Sequence, residues 1–109
     1  MNMKFSVLQR LILLDLFPTE GDFRTLRIIR DLKYNLAFSE EDLKAIKFEH
    51  LPDGRMKWTG KLDDKDIPIG EITQEVIKER LIFLEKEKKL TIDSLSLYEK
   101  FVLKQGENR

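Results

Sequence analysis

The sequence predicts a mostly helical α+β domain with about five helices and a β-hairpin, or a small three-stranded antiparallel sheet, in the middle. Apolar residues recur at the three- and four-residue spacing of helices over residues 6–36 and 71–104. Between these regions, apolar and polar residues alternate on both sides of a turn, as in a hairpin. A chain of 109 residues, 41% of them hydrophobic, suffices for one domain with a modest core. We therefore predict a single globular domain over residues 1–104 and a frayed polar tail over 105–109.

Capping residues place the starts of the first three helices. Ser6 and Gln9 fit a capping box that opens the first helix, and Pro18 helps to end it. Asp22 is a good N-cap for a second helix that runs to about residue 36. Ser39 begins a short third helix, whose first turn is acidic and so complements the helix dipole.

The middle of the chain changes from helical spacing to alternation. Segments 46–50 and 56–59 alternate and flank a turn in which Pro52 fixes φ and Gly54 accepts a left-handed conformation. Segment 66–70 is a candidate third strand. It is predicted at an edge, since its proline has no amide hydrogen to donate.

The composition excludes several classes of function. The 20 basic and 20 acidic residues cancel, which removes the overall attraction expected of a nonspecific nucleic-acid coat. Without cysteine there are no thiolate metal sites or cysteine nucleophiles, and the single histidine has no partner at ligand spacing. No glycine-rich phosphate loop is present. We therefore predict a protein that is not an enzyme and has no cofactor and no metal.

The N-terminal region predicts neither a signal peptide nor a membrane anchor. Its apolar run over residues 11–17 is interrupted by Asp15, and no small-residue cleavage site follows. No run approaches the ~20 apolar residues of a spanning helix. The expected location is the cytoplasm.

The second helix carries the sharpest candidate for a binding surface. Its apolar residues share one arc that must face the core: Leu26, Ile28, Ile29, Leu32 and Leu36. The opposite arc carries Arg24, Arg27, Arg30 and Tyr34, together with Phe23. Guanidinium groups bind carboxylates or phosphates and stack on aromatic rings, so we predict that the three arginines and Tyr34 bind a partner. The alternative is a solvated face on which Arg27 pairs with Asp31.

The helix over residues 71–90 is apolar on two sides. A helix of this kind either packs on both sides within its own domain or offers one side to a second copy of the chain. The candidate dimer interface consists of Ile77, Arg80, Leu81 and Leu84. In the intramolecular alternative, the stem of Arg80 covers apolar surface while its charged head reaches water. Beyond this helix, Thr91 or Asp93 is predicted to cap a last helix that runs to about residue 104.

Helices followed by a hairpin invite comparison with winged-helix DNA readers. In that fold, the helix before the wing enters the major groove. Here that helix is segment 39–45, which opens with three acidic residues that would oppose the phosphates. Only a different mode of nucleic-acid binding, through the basic face over residues 24–34, stays open.

Five segments resemble small proteins of unassigned activity encoded by phages and prophages. They are RLILLDLFPTEGDFRTLRIIRDL, LAFSEED, GRMKW, IPIGE and KKLTIDSLSLYEKF. The resemblance spans most of the chain and brings no catalytic motif. It implies roles that depend on binding, such as capping a host enzyme, blocking a defence complex, assisting virion assembly or sequestering a signalling nucleotide.

These observations favour a non-enzymatic protein-binding module, such as a phage accessory protein or an inhibitor of a host complex, which acts alone or as a homodimer. One alternative is nucleic-acid binding through the same basic face. Another is a sponge for an anionic nucleotide, in which arginines hold the phosphate and Tyr34 stacks on the base.

Overall fold

Helices and two small antiparallel sheets form the α+β architecture that the sequence predicts. The computed structural model of the chain describes residues 2–103. In chain order, its elements are β1 Asn2–Phe5, α1 Val7–Leu16, α2 Phe23–Leu36, α3 Glu40–Ala45, β2 Glu49–His50, β3 Met56–Lys57, β4 Lys65–Pro68, α4 Glu71–Lys86, a 3₁₀ turn Ile92–Ser94, α5 Leu95–Tyr98 and a π-helical turn Glu99–Leu103. The tail predicted over residues 105–109 lies outside the described residues.

The three predicted helix starts are confirmed. The Ser6 hydroxyl accepts the Gln9 amide at 3.2 Å, and the Gln9 side chain accepts the Ser6 amide at 3.1 Å. Asp22 accepts the Thr25 amide and its hydroxyl, both at 2.9 Å, and these hydrogen bonds lower the pKa of the Asp22 carboxyl. Ser39 caps α3 with the same capping-box geometry. Short side-chain acceptors thus satisfy amides that have no partner inside each helix.

The predicted third strand exists, but it pairs with a strand that the sequence analysis did not assign. β4 lies antiparallel to β1, in a register that runs from Asn2 opposite Pro68 to Phe5 opposite Lys65. Along β1, Met3 and Phe5 turn towards the core while Asn2 and Lys4 are exposed. Alternation over only four residues is too short a signal to distinguish a strand from a loop. The three-stranded alternative is therefore wrong.

The predicted hairpin is confirmed but has only two residues in each strand. Glu49 lies opposite Lys57, and His50 lies opposite Met56. Ile46, predicted as the start of the strand, instead ends α3, and its carbonyl accepts the amides of residues 59 and 60 at 3.0 Å each. The outer ends of both alternating segments thus anchor the hairpin to α3.

The core lies between β1, β4 and the helices α1, α2 and α4. Its buried apolar residues are Phe5, Leu13, Leu16, Phe17, Ile29, Leu32, Leu36, Ile67, Ile69, Ile77, Leu81, Leu97 and Phe101. The last predicted helix is divided into the 3₁₀ turn, α5 and the π-helical turn, which bring Phe101 onto Phe5 with ring centroids 6.0 Å apart. Beside this pair, Lys100 Nζ donates to the Lys4 carbonyl at 2.7 Å. Burial lowers the pKa of the Lys100 ammonium group, and Asp64 opposes that effect.

The predicted dimer interface on α4 does not hold for two of its four residues. Ile77 and Leu81 are 0% exposed because both pack into the core of their own chain. Arg80 donates from Nε to the carbonyl of Leu16 at 2.8 Å, and Leu84 packs against the core while partly exposed. The side of α4 that carries Ile77 and Leu81 therefore packs within the domain, whereas Ile72 and Phe83 on its other apolar side are 54% and 49% exposed.

Two helices end at lysines with left-handed backbone conformations. Lys47 after α3 and Lys88 after α4 have φ values of 52° and 58°. At the end of α4, the Lys89 amide donates to the Leu84 carbonyl at 2.8 Å and the Lys88 amide to the Glu85 carbonyl at 3.0 Å. This pattern is a Schellman motif, in which glycine is the usual residue at the left-handed position. Each lysine therefore carries a steric cost that glycine would avoid.

We expect Lys88→Gly to raise the free energy of unfolding by about 1 kcal/mol, because it relieves a left-handed conformation without removing a buried group. For a domain of this size, that gain corresponds to a rise of about 4 °C in Tm, measured by calorimetry. Lys88→Ala is the matched control, since it removes the same side chain and keeps the steric cost. Equal stability of the two variants would contradict this account.

Candidate functional site

The four residues predicted to bind a partner are all exposed on α2. Arg24, Arg27, Arg30 and Tyr34 point away from the buried side of the helix, and Tyr34 is 78% exposed. The buried side consists of Ile29, Leu32 and Leu36, with Leu26 and Ile28 partly covered. The predicted division of α2 into a core side and a solvent side is confirmed.

The structure brings two of these four residues into a groove and leaves the other two beyond it. Arg24 and Arg27 line an open groove of about 370 Å³. Arg30 lies outside it and forms an ion pair with Asp31, with its Nε 3.5 Å from a carboxylate oxygen. The Arg27–Asp31 pair that the alternative interpretation predicted is not formed within the 4.0 Å limit of an ion pair. Tyr34 lies one turn further along α2 and extends the surface.

Two exposed apolar side chains complete this surface. Phe23, the first residue of α2, is 80% exposed, and Ile72 at the start of α4 is 54% exposed. Both line the groove together with the partly buried Ile28. The sequence analysis did not select Phe23, although its place beside Arg24 on the solvent arc was a signal. Ile72 could not be found in this way, because the contact between α2 and α4 is tertiary. We call the set Phe23, Arg24, Arg27, Arg30, Tyr34 and Ile72 the α2 face.

The arginines at the centre of the α2 face are not used by the fold. Within residues 2–103, the side chains of Arg24 and Arg27 make no hydrogen bond, ion pair or ring contact. Their guanidinium groups can therefore bind an external carboxylate without losing an internal partner. Each group presents several N–H donors in a fixed plane that matches a carboxylate.

Arg10 has the opposite role and was not recognised from the sequence. Its side chain on α1 is 1% exposed and reaches the end of α2, where Nε donates to the Leu36 carbonyl at 3.1 Å and Nη2 to the Ala37 carbonyl at 2.8 Å. The guanidinium carbon lies 3.8 Å from the centroid of the Phe38 ring, and Asp42 is 3.9 Å away. Burial lowers the pKa of Arg10, and the negative charge of Asp42 opposes that effect. A charge among the apolar residues of the first helix was the available signal.

Other cations also bind the carbonyl ends of helices. Lys65 Nζ donates to the Asn35 carbonyl at 3.1 Å, beside the two carbonyls that Arg10 binds. Arg80 binds the last carbonyl of α1 in the same way. The C-terminus of a helix carries partial negative charge and unpaired carbonyls, so these contacts stabilise the fold.

A second, larger groove of about 550 Å³ lies between α1, the hairpin turn and the C-terminal part of α4. Leu8, Leu11 and Leu84 form much of its apolar surface, and the partly buried Trp58 lines it as well. The guanidinium-bearing side chain of Arg80 also lines this groove. We call it the α1–α4 groove. The sequence analysis did not predict it, because the hairpin turn approaches α1 only in the folded chain.

Within residues 2–103, no group of three or more histidine, cysteine, aspartate or glutamate side chains is arranged to hold a metal ion. Among these residues, no helix combines the length and the apolar composition that a membrane-spanning segment requires.

Comparison with known proteins finds no match to this chain among protein-family models, curated proteins or solved structures. The resemblance to phage-encoded proteins stays a prediction.

Proposed function

We propose that this protein is a non-enzymatic binding module whose α2 face binds an acidic segment of a partner protein. The observation that carries the proposal is the combination of two strongly exposed apolar side chains with arginines that the fold does not use. Aromatic residues and arginine are enriched at the centres of protein interfaces and contribute much of their binding energy. An action in the cytoplasm, as a phage accessory protein or as an inhibitor of a host complex, is part of this proposal.

The composition of the α2 face favours a protein over a nucleic acid. Phosphate backbones are bound mainly through cationic and polar groups. Here the exposed side chains of Phe23 and Ile72 line the groove beside the two arginines. A protein segment that carries an acidic and an apolar side chain matches this combination, because its carboxylate can meet Arg24 or Arg27 while the apolar group contacts Phe23 and Ile72.

We expect the triple change Arg24→Ala, Arg27→Ala and Arg30→Ala to abolish capture of the partner from host lysate, with Tm changed by less than about 3 °C because all three side chains are exposed. The measurement is quantitative mass spectrometry of the proteins that co-purify with each variant. Capture is expected to be lost as well in Phe23→Ala, which leaves the charge unchanged.

The matched control replaces three other exposed cations, Lys44, Lys57 and Lys61, with alanine and so makes the same change in net charge. The proposal is supported by a protein that co-purifies with this control but not with the triple arginine variant or with Phe23→Ala. Equal retention by all variants contradicts it. Loss of capture after nuclease treatment would instead support nucleic-acid binding. On duplex DNA, the logarithm of the affinity would then fall by about 0.9 per phosphate contact for each tenfold rise in salt concentration.

Two further measurements separate the remaining alternatives. A thermal shift with cyclic nucleotides at millimolar concentration would support the nucleotide sponge and contradict the protein-binding proposal. Light scattering on the purified protein gives its molar mass and so tests whether it forms a homodimer. A dimer that the triple arginine change dissociates would identify a second copy as the occupant of the α2 face and overturn the acidic partner.

A further inference from the structure

The α1–α4 groove lies at a different place from the α2 face and has the size of a small-molecule site. Pockets for small ligands usually have volumes of about 300–1,000 Å³, and this one has about 550 Å³. Such sites combine mostly apolar walls with a few polar groups that orient the ligand. The apolar walls are the leucines of α1 and α4 together with Trp58.

Arg80 is the polar group best placed to orient a ligand. Its side chain is partly buried, and Nε is occupied by the Leu16 carbonyl at 2.8 Å. The guanidinium carbon lies 5.2 Å from the centroid of the Phe83 ring. Among residues 2–103, no carboxylate lies within 4.0 Å of this guanidinium, and no hydrogen bond uses its two amino groups. A partly buried arginine on the wall of this groove thus has no anionic partner among the described residues.

The other charged residues of the groove are more exposed than Arg80. Arg55 is already paired with Asp53, whose carboxylate oxygen lies 2.6 Å from Nε. Lys89, Asp15 and Asp93 are exposed, so water and salt weaken their effect on a bound anion more than that of Arg80. Two cations, Arg80 and Lys89, and two carboxylates, Asp15 and Asp93, then remain. Of these four, Arg80 is the most buried. An anion gains most beside the partly buried guanidinium, where the local dielectric constant is lower.

We propose that the α1–α4 groove binds a small amphipathic anion, with a carboxylate or phosphate headgroup on Arg80 and an apolar chain against Leu11 and Trp58. This proposal is independent of the partner on the α2 face. It follows from charge complementarity at Arg80 together with the apolar walls of the groove. Arg80 thereby serves both as the cap of α1 and as the anchor of the ligand.

The chain carries its own reporter for this site, since Trp58 is its single tryptophan. The experiment titrates the full chain with octanoate, octyl phosphate and octanol and follows Trp58 fluorescence. We expect a saturable change with an anionic probe and about tenfold weaker binding of octanol. Comparison of octanoate with octyl phosphate identifies the headgroup. No saturable change with either anion, or equal binding of octanol, would overturn the proposal.

Variants separate a ligand site from a purely structural Arg80. Arg80→Gln is expected to weaken binding of the anions about tenfold or more and to leave octanol unaffected. The matched control is Lys44→Gln, which removes one positive charge from an exposed residue that lines neither groove and is expected to bind octanoate as the wild type does. Loss of octanoate binding in this control would contradict the assignment to the groove.

A second pair of variants keeps the proposal testable if Arg80→Gln does not fold. Leu8→Glu places a carboxylate on an exposed part of the groove, and Asp15→Asn removes one. We expect the first change to weaken octanoate binding and the second to strengthen it, with Arg80 intact in both. Unchanged affinity in both variants would overturn the proposal.

Discussion

Replacing Arg10 with alanine is expected to lower the free energy of unfolding by about 2–5 kcal/mol, because it leaves buried carbonyls unpaired and truncates a buried side chain. The change leaves the Leu36 and Ala37 carbonyls at the end of α2 without their donor. It also opens a cavity beside the Phe38 ring, on which the guanidinium lies. The contact with Asp42 contributes less, since it is long at 3.9 Å. The measurement is equilibrium unfolding in urea.

Graded substitutions at the same position test this explanation. Arg10→Met keeps most of the apolar stem and should recover part of the loss, because the cavity is filled while the carbonyls stay unpaired. Arg27→Ala is the control for removal of an exposed arginine and should change the free energy of unfolding by less than about 0.5 kcal/mol. A small effect of Arg10→Ala, close to that of the control, would show that the buried contacts do not stabilise α2.

Gly60→Ala is expected to destabilise the fold by about 3 kcal/mol, in the upper range for overpacking. A Cβ atom at this position would overlap the carbonyl oxygen of Ala45 and would lie 2.9 Å from Cα of Ile46. Both neighbours are backbone atoms, so no side-chain rotation can relieve the clash. The amides of Thr59 and Gly60, which donate to the Ile46 carbonyl at 3.0 Å each, would have to move away.

Gly21→Ala is the matched control, since its added Cβ would meet only the Leu26 side chain at an ordinary 3.8 Å. It should leave stability unchanged or raise it by about 0.5 kcal/mol, because alanine restricts the unfolded chain. Thermal unfolding of the two variants gives the comparison. If Gly60→Ala were as stable as Gly21→Ala, the close packing of the hairpin base against α3 would be refuted.

Local signals predicted most of the helical fold. The caps at Ser6, Asp22 and Ser39 depend on side chains that bond to amides three residues away, so each start could be read within one turn. The exposure of Arg24 and Tyr34 followed from the helical period in the same way.

Features that depend on distant contacts could not be predicted. β1 becomes a strand because β4, 60 or more residues later in the chain, supplies its hydrogen bonds. The burial of Ile77 and Leu81 was ambiguous, since an apolar stripe has the same sequence pattern whether it meets its own core or a second copy. Both grooves lie between elements distant in sequence, and no single stretch of the chain describes them.

The contact between β1 and the π-helical turn determines when folding can finish during synthesis. The ring of Phe5 meets Phe101, and the Lys4 carbonyl meets Lys100, only after both segments, which are 96 residues apart, have been translated. Until then, α1 and α2 can form local structure, while β1 has no strand to pair with and stays accessible to chaperones. Native closure therefore follows the synthesis of residue 101, and slowing the ribosome over the first helices should do little to speed it.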